Sequence, residues 1–406
     1  MTLCHTFLLK PDGETRMLLQ GLKVVEMATW VAGPSSAAVL ADWGAEVIKV
    51  ESPIGDATRA FQPDTEASPG NPIFTNENRG KKGVVLDIAR PEGRKALKTL
   101  ISQADIFITN TRPGSLKRLG LDYDSLKADM PRLIYAAVTG YGLVGPEADV
   151  AAFDITAFWT RSGMARAMIP PDQEPFASRP GFGDHVTALA TVSAVLAALH
   201  ERTSTGRGRL VETSLIRAGA YAISWDLAQQ LRYGEVVTTQ VRNDRPSGIS
   251  GFFRTADDRW VCIVPRTLDC FTKMMIAIDR PDILAESRFE PPVMDLEITR
   301  EIRAMCDEGF GKLTLAEAAA RLDEQDLAWA PMSTLAELAE SDMAEAAGCF
   351  ITVEDGWGGT FRAPASPARF PEGAPPVGRA APKLGQHTRE VLEAAGLTPD
   401  EIDAVL

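Results

Sequence analysis

Leu22-Lys23-Val24-Val25-Glu26-Met27, then Ala28-Thr29-Trp30-Val31-Ala32-Gly33-Pro34-Ser35, then Ser36-Ala37-Ala38-Val39-Leu40-Ala41-Asp42-Trp43, decides the fold class. The first segment is an apolar run of strand length. Ala32-Gly33-Pro34-Ser35 breaks it, and the segment that follows has the composition of a helix. Glu46 to Val50 reads as a second strand. A strand, a helix and a second strand in close succession imply parallel pairing through a right-handed crossover.

The alternation continues downstream. Gly83 to Ile88 predicts a strand, Pro91 to Gln103 a helix, and Ile106 to Thr109 and Leu133 to Val138 two more strands. The class is α/β, an open parallel sheet wound on both sides. A long helix is expected from His185 to Glu201, with Ala, Val and Leu on nearly every side, so burial all round is expected. Thr203 to Gly208 is a turn, Leu210 to Thr213 a strand, and Arg242 to Phe253 a loop with Gly, Pro and Ser. Trp260 to Val264 follows as a strand, and Phe271 to Glu324 reads mostly as helix. Residues 351–383 are rich in Pro and Gly with little periodicity, and the last helix is expected from Thr388 to Ala395. There is no internal repeat.

The chain has 406 residues, 45% hydrophobic and 24% charged, which suits a soluble globular protein of two or three domains. A net charge of -13 argues against nucleic acid and anionic membranes as partners. It leaves room for a small anionic ligand, because a few cations reverse the field in one cleft. Cys4, Cys262, Cys270, Cys306 and Cys349 are scattered without a C-x-x-C, and so are expected as free thiols in a reducing, cytoplasmic setting. His5, His185, His200 and His387 show no metal-ligand spacing. No apolar run reaches the roughly 18 residues of a membrane span. Met1 to Arg16 is mixed and polar without a signal pattern, and reads as a ragged extension.

Four places carry candidate chemistry. The first βα turn lacks the G-x-G-x-x-G of a dinucleotide cradle, although its backbone could still contact an adenine nucleotide. Glu51, at the end of the second strand, reads as a solvated strand end. Asn78-Arg79-Gly80-Lys81-Lys82-Gly83 is either a phosphate-binding patch or a solvated charged turn. Asn110-Thr111-Arg112-Pro113-Gly114-Ser115-Leu116-Lys117-Arg118-Leu119-Gly120 follows a strand's carboxyl end, where open α/β sheets bind ligands. Two basic loops at one sheet edge could clamp a polyanion. Lastly, Gly181-Phe182-Gly183-Asp184-His185 opens the long helix. Asp184 suits an N-cap first, and the same position also suits a carboxylate kept ionised by the helix dipole, with glycines that admit a substrate. An ionised Asp attacks a carbonyl without a general base. His185 either orients it or solvates the helix start. No G-x-S-x-G elbow occurs.

The order Val24-Val25-Glu26, Ala32-Gly33-Pro34, Leu40-Ala41-Asp42-Trp43-Gly44-Ala45-Glu46-Val47-Ile48-Lys49-Val50-Glu51, Asn78-Arg79-Gly80-Lys81-Lys82, Asn110-Thr111-Arg112-Pro113-Gly114, Thr139-Gly140-Tyr141-Gly142, Gly183-Asp184-His185 and Thr205-Gly206-Arg207-Gly208 resembles the class III CoA-transferases. This is the family of formyl-CoA, crotonobetainyl-CoA and phenyllactate-type transferases. Ala152 to Trp159 is most similar to the branch acting on 2-hydroxy acids and aryl acrylates.

The resemblance implies a large Rossmann-like domain built from N- and C-terminal segments, a smaller inserted α+β domain, and an interlocked homodimer. The expected division is 1–17 as extension, 18–220 as the first segment of the large domain, 221–330 as the small domain with linkers, and 331–406 as the return. It also implies Asp184 as nucleophile and CoA contacts at Trp30, Val31, Ala32, Lys81, Asn110, Thr111 and Arg118. Tyr141 and Phe153 would sit near the acyl group, with Gly248 in a covering loop at Ser247 to Gly251. CoA and acyl-CoA would be substrates alongside carboxylic acids, with no tightly bound cofactor.

Two departures narrow the expectation. Formyl-CoA members have Gln where this chain has Val31 and Lys where it has Thr139, which puts oxalate in doubt. Related racemases carry a His before Asp154, where this chain has Phe153, a side chain that takes no proton. The rival readings are a 2-methylacyl-CoA racemase, a non-catalytic CoA-binding protein with Asp184 as a cap, and a nicotinamide dehydrogenase. Phe153, Phe158 and Trp159 suggest a bulky or aryl acyl group, or else simply core.

Overall fold

The structure is a computed structural model that describes residues 17–61, 65, 71–236, 247–289, 295–372 and 378–406. The extension 1–16 and residues 242–246 of the loop from Arg242 lie outside the described residues. Six strands form one parallel sheet: β1 (Lys23–Met27), β2 (Glu46–Glu51), β3 (Lys82–Val85), β4 (Ile106–Thr109), β5 (Ile134–Thr139) and β6 (Leu210–Ser214). Their order across the sheet is β3-β2-β1-β4-β5-β6. Val25 faces Ile48 on one side and Phe107 on the other. The order reverses between β1 and β4, and that reversal opens a crevice at the carboxyl ends of these strands.

Between the strands run α1 (Ala32–Asp42), α2 (Pro72–Asn78), α3 (Pro91–Ser102), α4 (Pro113–Leu119) and α5 (Tyr123–Leu126). After β5 come a π-helical turn (Ile155–Arg161), α6 (Met164–Met168) and α7 (Phe182–Thr205); after β6 come α8 (Leu215–Ala222) and α9 (Ser224–Tyr233). Side chains alternate across the strands, so each face has its own core. Val24, Val47, Ile106, Ile134 and Ala136 pack with α1 and α7. Val25, Val50, Phe107 and Tyr135 pack with α3 and with Val391, Leu392 and Ile402 near the C-terminus.

Several expectations change. α7 starts at Phe182, earlier than His185, and buries one stripe (Gly183, Thr187, Ala188, Thr191, Val192, Val195, Ala198, Arg202) instead of its whole circumference. By length and composition alone it would pass for a membrane span. Its buried stripe lies on α1 and on β5 and β6, as a helix covering a sheet does. The stretch from 351 holds a hairpin, β10 (Phe350–Glu354) with β11 (Thr360–Pro364), hidden in sequence by the glycines of its turn. Asp355 Oδ1 accepts from the N–H groups of Trp357 and Gly359, and Gly356 and Gly358 take positive φ. A further helix, α16 (Pro399–Asp403), follows α15 (Thr388–Ala394), started by a capping box between Thr398 and Glu401. The C-terminal segment closes the β3 edge: Gly83 N donates to His387 Nδ1, and Val85 N to Thr388 Oγ1.

The chain divides into two compact units, one of residues 1–167, 175–236 and 345–406, the other of 168–174 and 237–344. The sequence reading cut at 220/221 and 330/331. Contacts keep α9 with the first unit, and α13 (Leu335–Ala339) with the second. The second unit has an antiparallel sheet, β7 (Gly251–Arg254), β8 (Trp260–Ile263) and β9 (Trp329–Pro331). It also holds α10 (Cys270–Ala277), α11 (Leu296–Phe310) and α12 (Leu315–Glu324); α14 (Asp342–Ala346) runs across its boundary. Phe253, Val261, Met274, Phe310 and Leu322 form its core. Phe252 and Phe253 are thus strand residues, although the sequence placed them in a loop. In this unit a Cβ on Gly248 would lie 2.6 Å from Ile302 Cγ2, and the buried Arg303 donates to the carbonyls of Ser247 and Ser250 at 2.6 and 2.7 Å.

Candidate active site

The crevice at the β1/β4 reversal is a cleft of about 490 Å³ in the first unit. Its floor is the turn after β1. Trp30, a residue with a full side chain, sits there at φ 67. That region is unfavourable for a non-glycine residue, and surrounding contacts hold it. Trp30 N donates to Asp56 Oδ1 at 3.3 Å, and its ring meets Phe61 and Phe153 edge-on at 5.7 and 5.1 Å. Asp56 is itself fixed by Lys49, whose buried ammonium also reaches Glu26 and the Ala28 carbonyl. Gly33 allows α1 to start here, since a Cβ would come 2.5 Å from Ala28 Cβ.

Asn110, just past β4, ties the two loops together. Its Oδ1 accepts from Thr29 N at 3.1 Å, and its Nδ2 donates to Thr29 O at 2.7 Å. Thr111, Arg112 and Ser115 continue the wall. Arg118, exposed on α4, donates to Ser115 Oγ at 2.8 Å. Thr139, Gly140, Ala151, Ala152 and Phe153 close the far side, together with Leu215 and Asp184.

Asp184 lies in the first turn of α7. The N-cap is Gly181, at φ 81, and no side chain caps the helix. The cap role read from sequence is therefore replaced: Asp184 is the third helical residue and lines the cleft. Gly183 has no room for a Cβ, which would overlap the Phe158 ring, so this turn sits tight on the π-helical turn. The expectation that the dipole keeps Asp184 ionised is also corrected. Burial pushes its carboxyl up to about 7; Asp154 and Glu77 add to this, and His185 opposes. One helix end contributes less than these combined effects. Asp154 is buried, with Oδ1 accepting from Ile155 N and Oδ2 unpartnered.

Of the residues expected at the site, Trp30, Ala32, Asn110, Thr111, Phe153 and Asp184 meet in this cleft. Val31 packs near Gly181, and Tyr141 is half-buried just beyond Gly140. Lys81 is elsewhere: fully buried, its Nζ donates to Glu26 Oε2 at 2.6 Å, to the Pro34 carbonyl and to Asn78 Oδ1. In the basic turn 78–83, Arg79 and Lys81 are buried and Lys82 is half-buried. Arg79 pairs with Asp42, and Lys82 with Glu46 and Glu390, so each cation faces a carboxylate. Glu51 is buried, not solvated, and holds Arg59 at 2.7 Å. Phe158 and Trp159 belong to the core, which leaves Phe153 as the member of that aromatic set that faces the cleft. Sequence reasoning missed Asp56, Glu77 and Asp154, whose polarity inside apolar surroundings shows only once burial is known. Gly248 belongs to the second unit.

A model of CoA-transferase family III matches residues 19–388. The (R)-2-hydroxy-4-methylpentanoate CoA-transferase of Clostridioides difficile is 33% identical over 95% of this chain and 98% of its own. The cinnamoyl-CoA:phenyllactate CoA-transferase of Clostridium sporogenes is 31% identical over 95% of each chain. Among solved structures, a CAIB/BAIF family protein from Brucella suis superposes with a TM-score of 0.83 at 28% identity, over 94% of this chain and all of that one.

Proposed function

Since this chain belongs to CoA-transferase family III, we propose that it transfers CoA between carboxylic acids through covalent intermediates on Asp184. The observation that carries this is the Asp184 carboxyl opening into the cleft at the β1/β4 reversal. As an anion it attacks the donor thioester; the C–S bond breaks, CoA thiolate leaves and a mixed anhydride forms. The thiolate then attacks the aspartyl carbonyl, which expels the donor acid and leaves CoA on Asp184 as a thioester. The acceptor carboxylate attacks that thioester and forms a second anhydride. Thiolate attack at the acceptor's carbonyl gives the new acyl-CoA and frees Asp184. The Asn110-tied loops, with Trp30, Val31, Ala32, Thr111 and Arg118, are the CoA-binding side, and Tyr141 and Phe153 the acyl side.

The acyl side is lined by Phe153, Ala151, Ala152, Val138 and Leu215, which favours an apolar acid. Both relatives above act on acids with apolar side chains by their names, and a 2-hydroxy acid with an aliphatic or aryl side chain is the proposed acceptor class. A homodimer is part of the proposal. Tyr221, Trp225, Leu231 and Tyr233, on and beside α9, are each more than 70% exposed, a patch of the kind a subunit contact covers. The deciding experiment incubates the protein with a panel of acyl-CoA thioesters and quenches with hydroxylamine or borohydride before peptide mass spectrometry. A modification on Asp184 is expected. CoA binding with no modification from any thioester would overturn the covalent mechanism.

A further inference from the structure

His185 follows the nucleophile in sequence, yet its ring turns to α2. Its Nε2 lies 3.0 Å from Glu77 Oε1. Glu77 is buried, and its other partners come from two more places: Ser35 Oγ of α1 donates to Oε2, and Asn76 Nδ2 to Oε1 at 2.7 Å. One carboxylate thus joins α1, α2 and α7. α1 begins at the cleft floor and the first turn of α7 carries Asp184, so the junction links the elements that bear both. The His185 ring also fills the space against Gly181, where a Cβ would meet Cε1 at 3.3 Å and Nδ1 at 3.4 Å. With no side-chain cap on α7, this ring and the Phe158 contact at Gly183 help to hold its first turn.

We propose that the His185–Glu77 pair is a positioning device for the nucleophile: Glu77 holds an imidazolium on the same first turn of α7 that carries Asp184, fixing that turn and favouring the anion that attacks. This rests on the Asp184 mechanism above. The charges around the two groups come from every neighbouring element. Asp154, before the π-helical turn, and Glu77, on α2, both disfavour the Asp184 anion, and His185 favours it. His185 itself is raised by its bond to Glu77 against the effect of burial, with Asp184 adding to the rise. Arg79 lines the same small cavity as His185 and is neutralised by Asp42. Glu77 is pushed up by burial, but the bonds from His185, Ser35 and Asn76 more than reverse this and keep it ionised. A buried acid with three donors and one cationic partner is stable as the anion.

The test reads the two groups by NMR, with carboxyl-labelled aspartate and ring-labelled histidine in the full-length protein, Asp184 being assigned from Asp184→Asn. In the wild type, His185 should titrate above the ordinary value of about 6.5. Glu77→Gln should bring it down. In His185→Gln and His185→Asn, Asp184 should titrate higher by about one unit, and the acidic limb of kcat/KM should move with it, an about tenfold loss at pH 6 that fades by pH 8.5. His185→Arg, which keeps a cation, should retain the wild-type limb. A wild-type His185 that titrates below its ordinary value, or an Asp184 titration unmoved in a folded neutral variant, overturns the proposal. Neither reading needs turnover, so an inactive enzyme with these shifts would sink the Asp184 mechanism and leave the pair intact.

Discussion

Asp184 attacks only as its anion, and its surroundings resist that form. With burial and Asp154 raising its carboxyl to about 7, the group is near half-ionised at neutral pH. The sign for stability follows. The folded value lies above the unfolded one, so the stabilising contribution is complete below about pH 4 and is lost as pH rises to about 7. Asp184→Asn should therefore abolish transfer and still melt higher than the wild type. The gap should widen between pH 4 and 7 and level off above, by a few kcal/mol at most and less where solvent screens this partly open carboxyl. Thermal melts across pH check this; a variant less stable than wild type at pH 8 would refute it. Phe153→Ala should raise KM for bulky acceptor acids about tenfold, leaving short ones nearly unaffected, because a well-packed aromatic contact contributes on the order of 1–3 kcal/mol. A substrate panel with KM read separately from kcat decides it.

Elements bring the cleft together by pairing loops from non-adjacent parts of the chain. Asn110→Ala leaves both Thr29 N and Thr29 O without their partner. The expected loss is about 1–3 kcal/mol, with KM for acyl-CoA rising more than kcat falls. An unchanged KM in the folded variant would remove the Asn110 tie from the binding machinery. Lys81 tests a different relation. Its resemblance-based role is CoA contact, yet its ammonium is buried against Glu26 under α1. Burial pulls it down to about 8 even with Glu26 raising it. Lys81→Met should lower the melting point strongly, by roughly 3–5 kcal/mol of stability. A large rise in acyl-CoA KM with the melting point kept would return Lys81 to the CoA site.

For the whole molecule, the C-terminal residues are structural members of the parallel sheet unit. They contribute Val391, Leu392 and Ile402 to its core and hydrogen-bond the edge strand β3. Removing residues 379–406 should expose that edge and core together and yield insoluble protein; soluble, cooperatively melting protein would contradict this. The exposed aromatic residues beside and on α9 predict a dimer at micromolar concentration by sedimentation. Trp225→Glu should weaken it.

The parallel sheet, the basic segment after β4 and the Gly-Asp-His motif at the head of a long helix were legible in the sequence, although residues 113–119 form α4 and α7 starts at Phe182. They depend on local periodicity, turn residues and an ordered set of motifs, which are properties of neighbours along the chain. The hairpin at Phe350 was not, because Gly and Pro dilute its alternation and only pairing between its strands defines it. Which charges are buried also had to come from the tertiary structure. Lys81 and Glu51 look like surface residues in sequence and become interior ones because long-range packing places a matching charge beside each. Asp184 itself could be read as a cap or a nucleophile. The folded chain put Asp154 and Glu77, distant in sequence, near it and bound its neighbour His185 to Glu77, and that electrostatic setting is fixed by distance in space, which no spacing in sequence encodes.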